Sequence, residues 1–141
     1  QTISPREASI FACLADTVVA PEPVLPRVGE TDAAFFFDDW MTLCPPLIAR
    51  AMRSLLYVIE LAPVAFGMGH RMRRLPVAKR IELLRRLEKS PVIQIRQLTK
   101  LLKSSAFLAY YGDDQIMIRC GYDADANLRR GRELRAAEGR P

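Results

Sequence analysis

Side chains able to do chemistry are few in this sequence and widely spaced. His70 is the single histidine. It follows Gly67-Met68-Gly69, and to act as a general base or ligand it needs an acidic or thiolate partner that its neighbourhood does not supply. Cys13, Cys44 and Cys120 are an odd number at long intervals, unlike a disulfide framework, a zinc site or a haem attachment. Each lies in an apolar helical context, where a free thiol behaves as a small hydrophobe. The glycines at 67 and 69 lack a following helix in the right register for a dinucleotide fingerprint. No nucleophile–base pair, carboxylate pair or metal-ligand spacing emerges. The expectation is a chain with no catalytic, cofactor-binding or metal-binding residue of its own.

The charges that do cluster are basic. Residues 71–103 carry eleven basic and two acidic side chains, whereas residues 1–70 carry four and eight. Arg71, Arg73, Arg74, Lys79, Arg80, Arg85 and Arg86 are dense enough to hold phosphates. An anionic membrane surface or an acidic protein would be met by the same chemistry, and a solvated helix face is the plain alternative. Residues 77–89 offer Leu and Ile where a base-reading helix needs polar side chains. Nucleic acid is therefore not the expected partner. A helical nucleic-acid-binding regulator using the 71–89 segment is the alternative reading, and peripheral membrane contact through that segment stays open.

The elements that must carry these residues read as helices. Half of the 141 residues are hydrophobic and about a quarter are charged, a globular balance with enough chain for one core. Period-two β-branched runs are missing. Ser4-Pro5-Arg6-Glu7 is a capping box, followed by Ile10, Phe11, Leu14, Ala15, Val18 and Val19 at helical spacing to an end near Ala20. The residues from Pro21 to Pro26 predict a stiff, extended connector. Thr31 or Asp32 caps a second helix bearing Phe35, Phe36, Phe37, Trp40, Met41 and Leu43. Its three consecutive aromatics are either central core or a docking face. Pro45-Pro46 opens a third helix that Pro63 should kink or end. A fourth starts after Pro76 with Val77, Ile81, Leu84 and Leu87 apolar.

The longest stripe begins at Pro91. Ile95, Leu98, Leu102 and Ala106 form it, Leu101 and Leu108 widen it, and a left-handed Gly112 should end it after Tyr110-Tyr111. Asp113 then caps a short helix with Ile116, Met117 and Cys120, closed by Gly121. Asp123 or Asp125 caps a last helix interrupted by Gly131, with Leu128 and Leu134 its main apolar residues. The reading is an all-α fold: a single compact bundle of about six helices, residues 1–122, with the Pro91–Tyr111 helix central. Residues 123–141 form an extended, charged C-terminal tail or partner-docking helix. No apolar run is long enough to span a membrane. The absence of a leader and the free cysteines favour the cytoplasm, and an export signal removed ahead of Gln1 would favour the periplasm.

Three stretches carry a family resemblance. S-P-R-E-A-S-I-F-A-C-L-A-D-T-V-V-A-P from Ser4, L-P-V-A-K-R-I-E-L-L-R-R-L-E-K-S-P from Leu75 and L-L-K-S-S-A-F-L-A-Y-Y-G-D-D-Q-I-M-I-R-C-G-Y-D from Leu101 are similar to the bacterial gluconate 2-dehydrogenase subunit 3 family. The order of pieces resembles the branch beside, or fused ahead of, long-chain alcohol oxidases. The glycine-asparagine run and tryptophan of the sugar-acid branch are missing after Tyr110-Tyr111, which leaves a sugar substrate in doubt. The resemblance implies a non-catalytic small subunit, structural or chaperone-like, in a hetero-oligomer with a large FAD-dependent oxidoreductase of the glucose-methanol-choline (GMC) class acting on an alcohol or a sugar. FAD would reside in that large partner and not in this chain. Side chains expected at the shared interface are Phe36, Trp40, Tyr110, Tyr111, Tyr122, Leu128 and Leu134.

Overall fold

Ser4, Pro5 and Glu7 start the first helix as predicted. In the computed structural model, which describes residues 3–20 and 23–137, α1 (Pro5–Val19) opens on a reciprocal capping box. The Glu7 N–H donates to Ser4 Oγ at 3.3 Å, and the Ser4 N–H donates to Glu7 Oε2 at 2.7 Å. Two donors that the first turn would leave orphaned are satisfied. The same buried carboxylate accepts Arg53 Nε at 2.9 Å from α3 (Pro46–Ala65). Burial alone would raise the Glu7 pKa, but the Arg53 and Ser4 bonds outweigh it and hold the carboxyl below its usual value. Ala20 closes α1 at φ 45°, a left-handed conformation that costs a non-glycine residue roughly 1–2 kcal/mol. Pro21 and Glu22, the head of the expected connector, lie outside the described residues.

Helix α2 (Ala33–Leu43) gives the core one narrow line, Ala33, Phe37 and Met41, spaced four residues apart. Phe37 stacks on Phe11 with ring centroids 3.9 Å apart. At about 100° per residue three consecutive phenylalanines cannot share one face. Phe35 and Phe36 are exposed, so the central-core expectation holds for only one of the three. Asp32 occupies the cap position without a side-chain bond, and Thr31 Oγ1 accepts the Ala33 N–H at 3.4 Å.

Pro63 does not end α3. It stands buried in the last turn, and closure comes through Gly67 at φ 71°. The Met68 N–H donates to the Pro63 carbonyl at 2.8 Å and the Gly67 N–H to Val64 at 3.1 Å, a Schellman closure. Gly67 is therefore a helix cap. α4 (Val77–Glu88) buries Leu83, Leu84 and Leu87. Its apolar face is rotated from the predicted one: Val77 is exposed and Leu83 takes its place.

Helix α5 (Ile93–Tyr111) begins two residues later than Pro91 and packs against α1, α2, α3 and α4, so it is central as expected. Leu102, Ser105, Ala106, Ala109 and Tyr110 are buried along it. Small side chains at 105, 106 and 109 let neighbouring helices approach at interior packing density. The buried hydroxyls of Thr99 and Ser105 donate to the Ile95 and Leu102 carbonyls at 2.7 and 2.8 Å, leaving neither unsatisfied. Leu101 and Leu108, expected to widen the buried stripe, are exposed. The Tyr110 hydroxyl donates to the Pro26 carbonyl at 2.7 Å and ties the connector to α5. Burial pushes its phenol pKa up.

Gly112 is right-handed, φ −82°, and not left-handed as predicted. A Cβ there would lie 2.5 Å from the Leu108 carbonyl oxygen, so this glycine serves close approach. Asp113 caps α6 (Asp114–Arg119) by accepting the Gln115 N–H at 2.9 Å, and Gly121 closes α6 at φ 77°. Both match expectation. Asp123 then accepts the Ala126 N–H at 2.9 Å and starts α7 (Ala124–Ala137). Gly131 does not interrupt α7. An interior glycine costs about 1 kcal/mol relative to alanine, too little to break a helix otherwise made of Ala, Arg, Leu and Glu. The chain is all-α: among the described residues six α-helices form the bundle, and α7 extends from it without burying a residue.

Candidate functional site

Two surface regions gather the functional side chains. The first lies where α2, α5 and α6 meet. Phe107 and Tyr111, one helical turn apart on α5, stack with centroids 6.2 Å apart. Leu108 beside them is 63% exposed and Tyr111 is 44% exposed. Asp113 knits the corner together, because its second carboxylate oxygen accepts the Asp32 N–H at 3.5 Å while the first caps α6. Phe35 and Phe36 share a cleft of about 400 Å³ with Ala109, Gly112 and the carboxylates of Asp32, Asp39, Asp113 and Asp114. A second cleft of about 660 Å³ runs from Asp114 past Ile118 and Tyr122 to Asp123 and Asp125 at the start of α7. No cation lines either cleft.

Of the expected interface set, Phe36 lines the first cleft and Tyr122 the second, with Asp114 common to both, whereas Tyr111 lines neither and stacks on Phe107. Tyr110 is fully buried and only meets Tyr111 edge-on at 5.1 Å. Trp40 is half-buried, tilted against Phe37 at 6.0 Å. Leu128 and Leu134 are exposed on α7. Sequence reasoning passed over Phe107, Leu108 and Ile118 as surface groups. The 107/111 aromatic spacing was a usable signal, since residues four apart share a helix face. Cys120, at the end of α6, is exposed, whereas burial pushes the Cys13 thiol pKa up inside α1.

The second region follows α3. Glu60, Val64, Gly69, His70, Arg71, Arg73 and Arg74 line a cleft of about 570 Å³. Glu60 is buried and accepts Arg73 Nε at 3.0 Å, and Arg73 also donates to Ser9 Oγ at 3.0 Å. Arg80 donates to the Leu75 carbonyl at 2.8 Å and to that of Arg73 at 3.3 Å, holding the turn before α4. Arg86 pairs with Glu82 at 2.5 Å. Thus three cations of the expected phosphate-binding set have structural duties, while Arg71, Arg74, Lys79 and Arg85 are exposed. His70 is exposed at the cleft edge. Among the described residues no group of three or more His, Cys, Asp or Glu side chains is placed to hold a metal ion.

Compared with protein-family models, with curated proteins and with solved structures, the chain matches none.

Proposed function

We propose that this chain is a non-catalytic small subunit that docks on a large enzyme through the α2–α5–α6 corner. The observation that carries the reading is the exposed Phe107–Leu108–Tyr111 face on the helix that packs against α1, α2, α3, α4 and α6. Aromatic and aliphatic side chains grouped on a rigid element are the usual anchors of protein interfaces. The resemblance of the three sequence stretches to the gluconate 2-dehydrogenase subunit 3 family supplies the partner class, a large GMC-type flavoprotein acting on an alcohol or a sugar. In that reading FAD and the reacting groups belong to the partner, and this chain shapes or steadies it.

The test is affinity purification of the tagged chain from its own cells. Recovery of a flavin-absorbing GMC-type oxidoreductase in stoichiometric amount supports the reading, and recovery without any flavoprotein removes it. Tyr111→Ala should weaken the complex by about 2 kcal/mol or more while leaving the melting temperature of the free subunit almost unchanged. Equal loss of stability and binding would assign Tyr111 to the fold instead.

A further inference from the structure

We propose that the end of α3 and the loop after it dock the protein on an anionic membrane surface. The placement does not depend on the subunit reading above. Phe66, 47% exposed, and Val64, 52% exposed, project at the last turn of α3. The Gly67 closure fixes that turn, so their exposure is built into the backbone. Cations surround them on two sides. The Arg86 guanidinium lies over the Phe66 ring, 5.9 Å from its centroid. Val64 shares its cleft with Arg71 and Arg74, both exposed.

Opposing charge is sparse along this segment, although Glu82 takes up part of the Arg86 charge. Between residues 61 and 103 the acidic side chains are Glu82 and Glu88, and each is already in an ion pair, with Arg86 and with Lys103. Glu60, the carboxylate inside the cleft, is buried and bound by Arg73. Apolar groups ringed by arginines are the pattern that lets rings enter the headgroup layer while guanidinium groups meet lipid phosphates. A duplex is served by the cations alone, and a single strand, which stacks bases on aromatic rings, has a use for Phe66 but none for the exposed aliphatic Val64. No helix among the described residues is long and apolar enough to cross a membrane, so the contact is peripheral.

Co-sedimentation of the full chain with mixed phosphatidylcholine–phosphatidylserine vesicles, and with pure phosphatidylcholine vesicles, tests this. Binding is expected only with the anionic vesicles, weakening as salt shortens the Debye length. Arg71→Gln and Arg74→Gln should each lower partitioning about fivefold, and Phe66→Ser about tenfold. Arg129→Gln with Arg130→Gln on α7 is the charge control and should change it little. In a Trp40→Phe background, Phe66→Trp should shift its fluorescence to the blue on vesicle addition. No binding by the folded chain at low salt overturns the proposal. So does an equal loss from the α7 control, or a Phe66→Ser protein that binds vesicles as well as the parent. Binding of a single-stranded oligonucleotide as tight as vesicle binding would assign the patch to nucleic acid and overturn it as well.

Discussion

At the end of α5, Phe107, Leu108 and Tyr111 are exposed, and Phe35 and Phe36 of α2 line a cleft with Asp32, Asp39, Asp113 and Asp114. After α3, Val64 and Phe66 stand among Arg71, Arg74 and Arg86. Both regions leave aromatic surface wet, so apolar exposure alone does not separate them. Charge does. The two clefts of the first region are lined by carboxylates and no cation, with Arg119 entering the adjoining cleft beside Asp32 and Asp113, and a protein surface of ordinary or basic character is its proposed match. The second has Glu60, Glu82 and Glu88 in ion pairs, and an anionic plane is its proposed match. Two docking modes on one small domain then need not compete for the same residues.

The sharpest way to break this comparison is to ask whether the first region is surface at all. Phe37→Ala, which empties a fully buried site stacked on Phe11, should cost about 3–5 kcal/mol in chemical denaturation. Phe35→Ala, two residues away and 73% exposed, should stay within about 0.5 kcal/mol. Comparable losses would place both phenylalanines in one core and dissolve the α2 part of the corner.

A smaller effect separates the two regions from the scaffold between them. The Glu7 carboxyl is held below its usual pKa by Arg53 and Ser4 against the opposing effect of burial. A depressed folded-state pKa contributes stability above the ordinary carboxylate range, and that contribution is lost as pH falls through the folded value. Glu7→Gln should therefore lower stability at neutral pH by about 1 kcal/mol, the scale of a lost helix cap, and flatten the acid limb of the stability curve. Partner binding and vesicle binding should both persist in this variant at neutral pH. An unchanged acid limb would remove Glu7 as its source.

The smallest expected effect is on stability and the most local in position. Cys120 is exposed beside the α6 cleft, whereas Cys13 is half-buried with its thiol pKa raised by burial. A maleimide should label Cys120 well before Cys13, because the thiolate is the reactive form and access is open. The labelled protein should melt like the parent. Protection of Cys120 by the large partner but not by anionic vesicles would confirm that the two surfaces are separate. Equal protection by both would merge them.

Much of the helix punctuation was legible because caps are short-range chemistry. Ser4 with Glu7, Asp113 with Gln115 and Gly121 with its left-handed φ are each satisfied within a few residues, so residue type and spacing suffice. Errors came where two local rules competed. Gly112 looks like a left-handed cap, but the approach of the Leu108 carbonyl decides its role. Gly131 looks like a break, but its modest penalty is outvoted by its neighbours. The corner was half legible. Tyr111 and Phe36 could be named as interface candidates, whereas the burial of Tyr110 depends on Pro26, 84 residues earlier.

By itself the sequence determined that the chain is all-helical, roughly where each helix starts and stops, and that its cations concentrate after residue 70. Those properties follow from periodicity, capping and composition, which a short window of chain contains. The tertiary structure alone decided which side of each helix is wet and which charges are spent. Phe37 is core and Phe35 is surface because Phe11 of α1 meets only one face of α2. Arg73 serves the fold and Arg74 faces solvent because Glu60 reaches only one of two adjacent arginines. Burial and ion pairing depend on which distant segments arrive, and no local window of sequence carries that information.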